Sequence, residues 1–164
     1  MGTADLLSRA RAGDGEAFRE LAESHRRELQ VHCYRMLGSF ADAEDAIVAI
    51  FARAWESADL DALVALLTDD VFIAMPPEPF GYEGRDNVAR YWARQFGAGR
   101  RFDLVPTRAN GQPAFGAYLR VPAGIRHATG FYVLTLAGDR ICGMTRFEAS
   151  VLPWFGLPRS IPAR

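Results

Sequence analysis

The chain has 164 residues, 49% of them hydrophobic, and a net charge of −1 at pH 7. That length suits one medium domain, or a small domain with an appendage, and the apolar share is enough for a buried core. The charge balance lacks the basic excess of an autonomous DNA-binding domain, no apolar run reaches the ~18 residues needed to cross a bilayer, and the polar start after Met1 offers no signal peptide.

The cytoplasm is therefore the expected location. All 19 basic residues are Arg. Residues 1–50 carry six Arg against nine Asp and Glu, and residues 51–164 carry thirteen against eleven. The doublets Arg26-Arg27 and Arg100-Arg101 read as solvated faces rather than phosphate sites. Cys33 and Cys142 are far apart without a CxxC partner, so they read as reduced core residues.

In chain order, "TADLLSRARAG" predicts a short helix, capped by Thr3 and ended by Gly13. Asp14 opens a longer one with a stripe of Phe18, Leu21, His25, Leu29, His32 and Met36, spaced for one face. Gly38 is expected to close it. Ser39 with Asp42 three residues on resembles a capping box, so a third helix is expected to carry Ile47, Phe51 and Trp55 inward. His25 and His32 share a face but have no acidic or Cys partner at ligand spacing. They read as packing or surface residues, and neither a metal nor a cofactor is expected.

The pattern changes after Ala49. A helix breaks near Ser57-Ala58, and Asp59 can cap a second helix. "VFIAMPP" predicts a strand stopped by Pro76-Pro77, and "GYEGRDNVARYWARQFGAG" a loop and a helix. Four strands follow, with turns at Gly111, Gly124 and Gly138-Asp139. This order is α+β: three helices on a curved antiparallel sheet, preceded by an all-α arm. Such a cone has an apolar interior, for which Trp55, Phe72, Met75, Phe80, Tyr82, Trp92, Phe115, Tyr118, Phe131 and Phe147 are the candidate lining. The same aromatic stripe also reads as plain core. His127, with Arg146 and Glu148 two residues apart on the last strand, is the candidate acid/base set, and a rim ion pair is the other reading. Asp103 and Arg120 form a weaker pair. The tail "LPWFGLPRSIPAR" is too apolar to stay solvated and is expected to pack on the cone.

Two resemblances follow from these residues. The stretch from Leu6 to Ala46, with "CYRMLGSFADAEDA" at its end, resembles the start of extracytoplasmic-function RNA polymerase sigma factors. In that family the helix after "DAEDA" docks on the polymerase clamp. The resemblance implies a partner-contacting face that includes Tyr34, Arg35, Asp42, Glu44 and Asp45. The aromatic–basic helix and the helix-turn-helix that read promoters in that family do not follow. The segments "AWESADLDALVALLTDDVFIAMPP" and "YEGRDNVARYW" resemble the SnoaL-like family of the nuclear transport factor 2-like fold. "VPTRANGQPAFGAYLR" and "FGLPRSIPAR" resemble the SnoaL-like domain that some of these sigma factors carry at their C-terminus. The implied organisation is a truncated sigma-like arm over 1–46 and a SnoaL-like domain over 47–164.

A join that keeps the 3.6-residue repeat makes Asp42–Ser57 one helix serving both parts. Ketosteroid isomerases of this fold place a catalytic carboxylate where this chain has Met75, and an oxyanion-donating tyrosine where it has Phe51. Neither replacement can do that chemistry. Two functions stand. One is a regulatory protein whose arm contacts polymerase or a sigma factor and whose cone holds a small apolar ligand or a partner, without promoter binding of its own. The other is a small-molecule isomerase, cyclase or hydrolase with a vestigial arm. A homo-oligomer is expected in either case.

Overall fold

The structure, a computed structural model, describes residues 3–163, apart from the side chains of Thr3, Ser24, His25, Arg27 and Leu29. The capping role expected of Thr3, and the places of His25 and Leu29 in the stripe, lie outside the described residues. The chain divides into two compact units, Met1–Asp42 and Ala43–Arg164.

The first unit contains α1 (Thr3–Arg11) and the opening of α2 (Gly15–Ser57). Gly13, at φ 93°, turns the chain between them. Asp14 caps α2: its carboxylate accepts from the Glu16 and Ala17 amides at 3.0 and 3.1 Å. It also accepts from Arg9 Nη2 at 2.6 Å. The Ala17 amide bond, then Arg9, hold this carboxyl below its ordinary range.

Helix α2 corrects one expectation. It runs unbroken for 43 residues, so Gly38 does not close a helix and Ser39 does not cap one. The reason is energetic. A lone Gly costs a helix about 1 kcal/mol, whereas Pro costs about 3, and the flanking Tyr34–Leu37 and Phe40–Ala43 stretches contain no Pro. The continuous Asp42–Ser57 helix expected from the 3.6-residue phase is present within it.

In the second unit, Ser57 ends α2, and Asp59 accepts from the Ala62 amide at 3.1 Å to start α3 (Leu60–Ala65). Then come β1 (Leu67–Ala74), the short β2 (Gly81–Glu83), α4 (Arg85–Gly97), β3 (Phe102–Ala109), β4 (Gln112–Leu119), β5 (Ile125–Ala137) and β6 (Arg140–Phe147). A 3₁₀ helix (Ala149–Phe155) and β7 (Ser160–Pro162) close the chain. The strand order is β2-β1-β6-β5-β4-β3, with β7 on β5. The sheet is mixed rather than wholly antiparallel, because β1 pairs β6 in parallel. Helix α4 and four strands lie between those two in sequence, enough chain for the crossover that a parallel pair needs.

Both sheet faces are covered, each by its own cluster. On the helix side, Trp55 is the hub: its ring lies 5.2–5.6 Å from those of Tyr132, Phe96, Phe51 and Trp92. On the other side, Tyr118, Phe131, Val133, Leu152 and Leu157 form a second core. Here the tail packs as expected: β7 pairs β5, and Leu152 is fully buried. Trp154 departs from that expectation and is 84% exposed. Among the described residues no helix is long and apolar enough to cross a membrane.

Candidate functional site

The second unit contains a cavity of ≈430 Å³ lined by Tyr91, Gln95, Arg100, Phe102, Leu119, Thr129, Tyr132 and Arg146. Local rules place each side chain. Tyr91 and Gln95 are four apart on α4, hence on one helix face. Strand alternation sends Tyr132 and Leu134 to the helix side and Phe131 and Val133 to the other. Arg146 is the direct cross-strand partner of Tyr132. Its Nη2 donates to the Thr129 carbonyl at 2.7 Å. Gly130 leaves room for it: a Cβ there would lie 3.1 Å from Arg146 Nε.

Burial pushes the Tyr132 phenol above its ordinary value of 10.0, with neighbouring Tyr91 adding to the rise and Arg146 opposing it. Burial likewise raises Tyr91. Both phenols are therefore neutral at pH 7 and can donate hydrogen bonds. The lining includes two guanidiniums, two phenols, an amide and a hydroxyl, but no carboxylate and no imidazole. This set can hold negative charge. It offers no ordinary general base.

The expected site residues fall elsewhere, except one. Arg146 lines the cavity. His127 is exposed on β5, paired with Ser160 of β7; it is five residues from Tyr132, up to ~16 Å along the strand. Glu148 is exposed and lies past the end of β6, where it precedes the 3₁₀ helix, so it does not share a strand face with Arg146. Among the described residues no hydrogen bond or ion pair links these three side chains.

Of the ten aromatic and Met candidates, none lines the cavity. Trp55, Trp92 and Phe115 are core behind it. Met75 and Tyr82 pack partly buried against that core. Phe72 and Phe80 are exposed. Tyr118, Phe131 and Phe147 belong to the second core on the opposite face. Phe51 is buried, stacked between Trp55 and Phe115.

Sequence reading missed Tyr91, Gln95, Thr129 and Tyr132 as site residues. The available signal was Gln95, a polar residue four from Tyr91 within the apolar stripe of α4. Asp103 and Arg120 do pair, Arg120 Nε to Oδ1 at 2.7 Å, and Arg126 takes the other oxygen. This cluster, with Asp103 and Arg126 buried and Arg120 partly exposed, joins strand ends, and none of the three lines the cavity.

In the first unit, α2 exposes Tyr34 at 81%, Leu37 at 68% and Phe18 at 66%, with Met36 and Phe40 also exposed. Arg35, Asp42 and Asp45 are exposed as well. Glu44 is engaged, accepting from Arg108 at 2.6 Å with its side chain 14% exposed. Cys33 is free and exposed, and Cys142 is free and partly buried, so neither is the core residue expected. Among the described residues no group of three His, Cys, Asp or Glu gathers.

Comparison with known proteins gives the following. A family profile described as SnoaL-like domain matches residues 47–144. The ECF RNA polymerase sigma factor SigG of Mycobacterium tuberculosis is 35% identical over 124 residues, covering 73% of this chain. The chain spans about a third of the length of that relative, 33%. An NTF-2 like protein of unknown function from Burkholderia xenovorans superposes with TM-score 0.56 at 13% identity, covering 66% of this chain and 84% of its own. An LEH-like epoxide hydrolase of M. tuberculosis gives TM-score 0.52 at 20% identity, covering 67% and 84%. At these identities the structural likeness concerns the fold alone.

Proposed function

The chain belongs to the SnoaL-like domain family, and on that premise we propose that it is a sigma-factor-derived regulatory protein. Its helical arm engages RNA polymerase or a sigma factor, and its cone holds a ligand or partner. The observation that carries this reading is the set of large apolar side chains that α2 leaves in water, Phe18, Tyr34, Met36, Leu37 and Phe40. Leaving large apolar side chains exposed forgoes roughly 1.5–3 kcal/mol each. Four of them gather within two turns, Tyr34 to Phe40, and such a concentration of exposed apolar side chains marks an interaction site. The similarity to a sigma factor over 73% of the chain supports the choice of partner. The arm passes directly into the cone along α2 with no aromatic–basic helix inserted, and this reading assigns the protein no promoter contacts of its own.

A capture experiment tests this. Tagged full-length protein is mixed with RNA polymerase core and, separately, with a sigma factor, alongside a Tyr34→Asp, Leu37→Asp double variant and a chain starting at Ala46. The full chain retains polymerase or a sigma factor and the other two do not. Equal capture by all three, or by none, sinks the reading.

The donors Tyr91, Tyr132 and Arg146 favour a second reading, in which the cone stabilises a developing oxyanion as an isomerase, cyclase or hydrolase. The lining supplies no base, which ranks it second.

A further inference from the structure

We propose that the cone cavity is an anion site, and that its ligand is a small organic carboxylate with a flat apolar body. The carboxylate sits on Arg146, and the body lies among Tyr91, Phe102, Leu119 and Tyr132. This rests on reading the cone as a holding site, and it names the class of what is held.

Charge accounting carries the inference. Four arginines of the same unit have carboxylate partners: Arg120 and Arg126 share Asp103, Arg85 has Asp69, and Arg108 has Glu44. Arg146 faces the hollow with different partners. Its Nη2 is fixed by the Thr129 carbonyl at 2.7 Å, and among the described residues no carboxylate pairs with it. A partly buried cation without a counter-charge is costly, and a ligand carboxylate supplies one. The fork is held in place before any ligand arrives, since Gly130 clears the space beside Nε and Thr129 orients one arm. That arrangement suits the planar, two-oxygen geometry of a carboxylate.

The surroundings agree. Arg100, held by Gln95 Oε1 at 3.2 Å, adds a second cation to the lining. The Tyr91 and Tyr132 phenols remain neutral donors. No acidic side chain lines the cavity to repel an anion. Phe102, Leu119 and the tyrosine rings supply the apolar wall, and ≈430 Å³ accommodates a bicyclic molecule.

The test uses the full chain and two probes of one shape, 2-naphthoate and its neutral counterpart 2-naphthamide, titrated by calorimetry. The carboxylate binds more tightly than the amide by roughly tenfold or more, because a charge-assisted hydrogen bond is about twice as strong as a neutral one. Arg146→Gln, whose amide can still donate to Thr129, erases that preference. Gly130→Ala, which crowds the guanidinium while keeping its charge, weakens carboxylate binding severalfold. Circular dichroism and urea midpoints establish that both variants are folded. Equal binding of the two probes by the native chain overturns the anion assignment and leaves a holding role intact. So does a preference that survives in Arg146→Gln. No binding of either probe overturns the assignment together with the holding role. Polymerase capture is measured separately on Arg146→Gln and is unchanged, so failure of the arm's partner and failure of the anion site are read from different experiments.

Discussion

At Gly116 a Cβ would lie 2.6 Å from Leu152 Cδ2 and 2.9 Å from Leu157 Cδ1. Glycine at this point lets the tail close on the outer face of the sheet. Gly116→Ala is expected to lower stability by about 1–3 kcal/mol through overpacking, read from the urea midpoint. Combining it with Leu152→Ala should give less than the sum of the two costs, because the smaller side chain vacates the space. Additive costs would mean that Gly116 does not set this contact. Tyr132 predicts a pH effect. Its folded pKa is raised above 10.0 by burial. Below pH 10 both folded and unfolded states keep the phenol neutral, and nothing is lost. Above it the unfolded chain ionises first, so stability falls as pH rises towards the folded pKa. Urea midpoints at pH 8 and pH 10.5 should show a smaller loss in Tyr132→Phe than in the native chain.

At the scale of the element, α2 decides how the arm is built. Gly38 is helical, with nothing within 4 Å of its would-be Cβ. Gly38→Ala should therefore stabilise the helix by about 0.5–1 kcal/mol. A destabilising effect would instead indicate a turn. Amide exchange should show protection continuing through Ala46–Phe51, where a break would separate the arm's helix from that of the cone. Composition made this element legible as helix, but not its continuity. Gly38 and the Ser39–Asp42 pair are sound punctuation signals, and they were outweighed because no Pro or positive-φ requirement enforces a stop. The β6 end shows the converse. The last strand is expected to include Glu148, yet the ladder stops at Phe147 and a 3₁₀ helix begins at Ala149. Burying Leu152 on the sheet face outweighs extending a strand.

At the scale of the whole molecule, the exposed apolar side chains of α2 bear on assembly. A homodimer is the expected state when polymerase is absent, since a second copy offers the same exposed apolar side chains. Light scattering on the native chain should give twice the 18.1 kDa protomer mass, and the Tyr34→Asp, Leu37→Asp variant should shift towards monomer. A native chain that stays strictly monomeric removes the dimer. With a net charge of −1 and no Lys, no promoter-specific, salt-sensitive shift is expected at physiological ionic strength; observing one would overturn the regulatory reading offered above.

The sequence by itself determined the α+β class, the order of the main strands and helices after Ser57, the turns at Gly111, Gly124 and Gly138, and the packing of the tail. Each of these rests on local chemistry: periodicity, caps, and glycine where φ is positive. It did not determine which side of the sheet each aromatic faces. Phe131 and Tyr132 are adjacent and both buried, one under the tail and one beside the cavity. When both faces of a sheet are covered, alternation no longer separates inside from outside, and a one-residue choice moves a side chain from one core to the other. Only the tertiary register of β5 against β6 set Tyr132 opposite Arg146, while His127 pairs instead with Ser160 of β7.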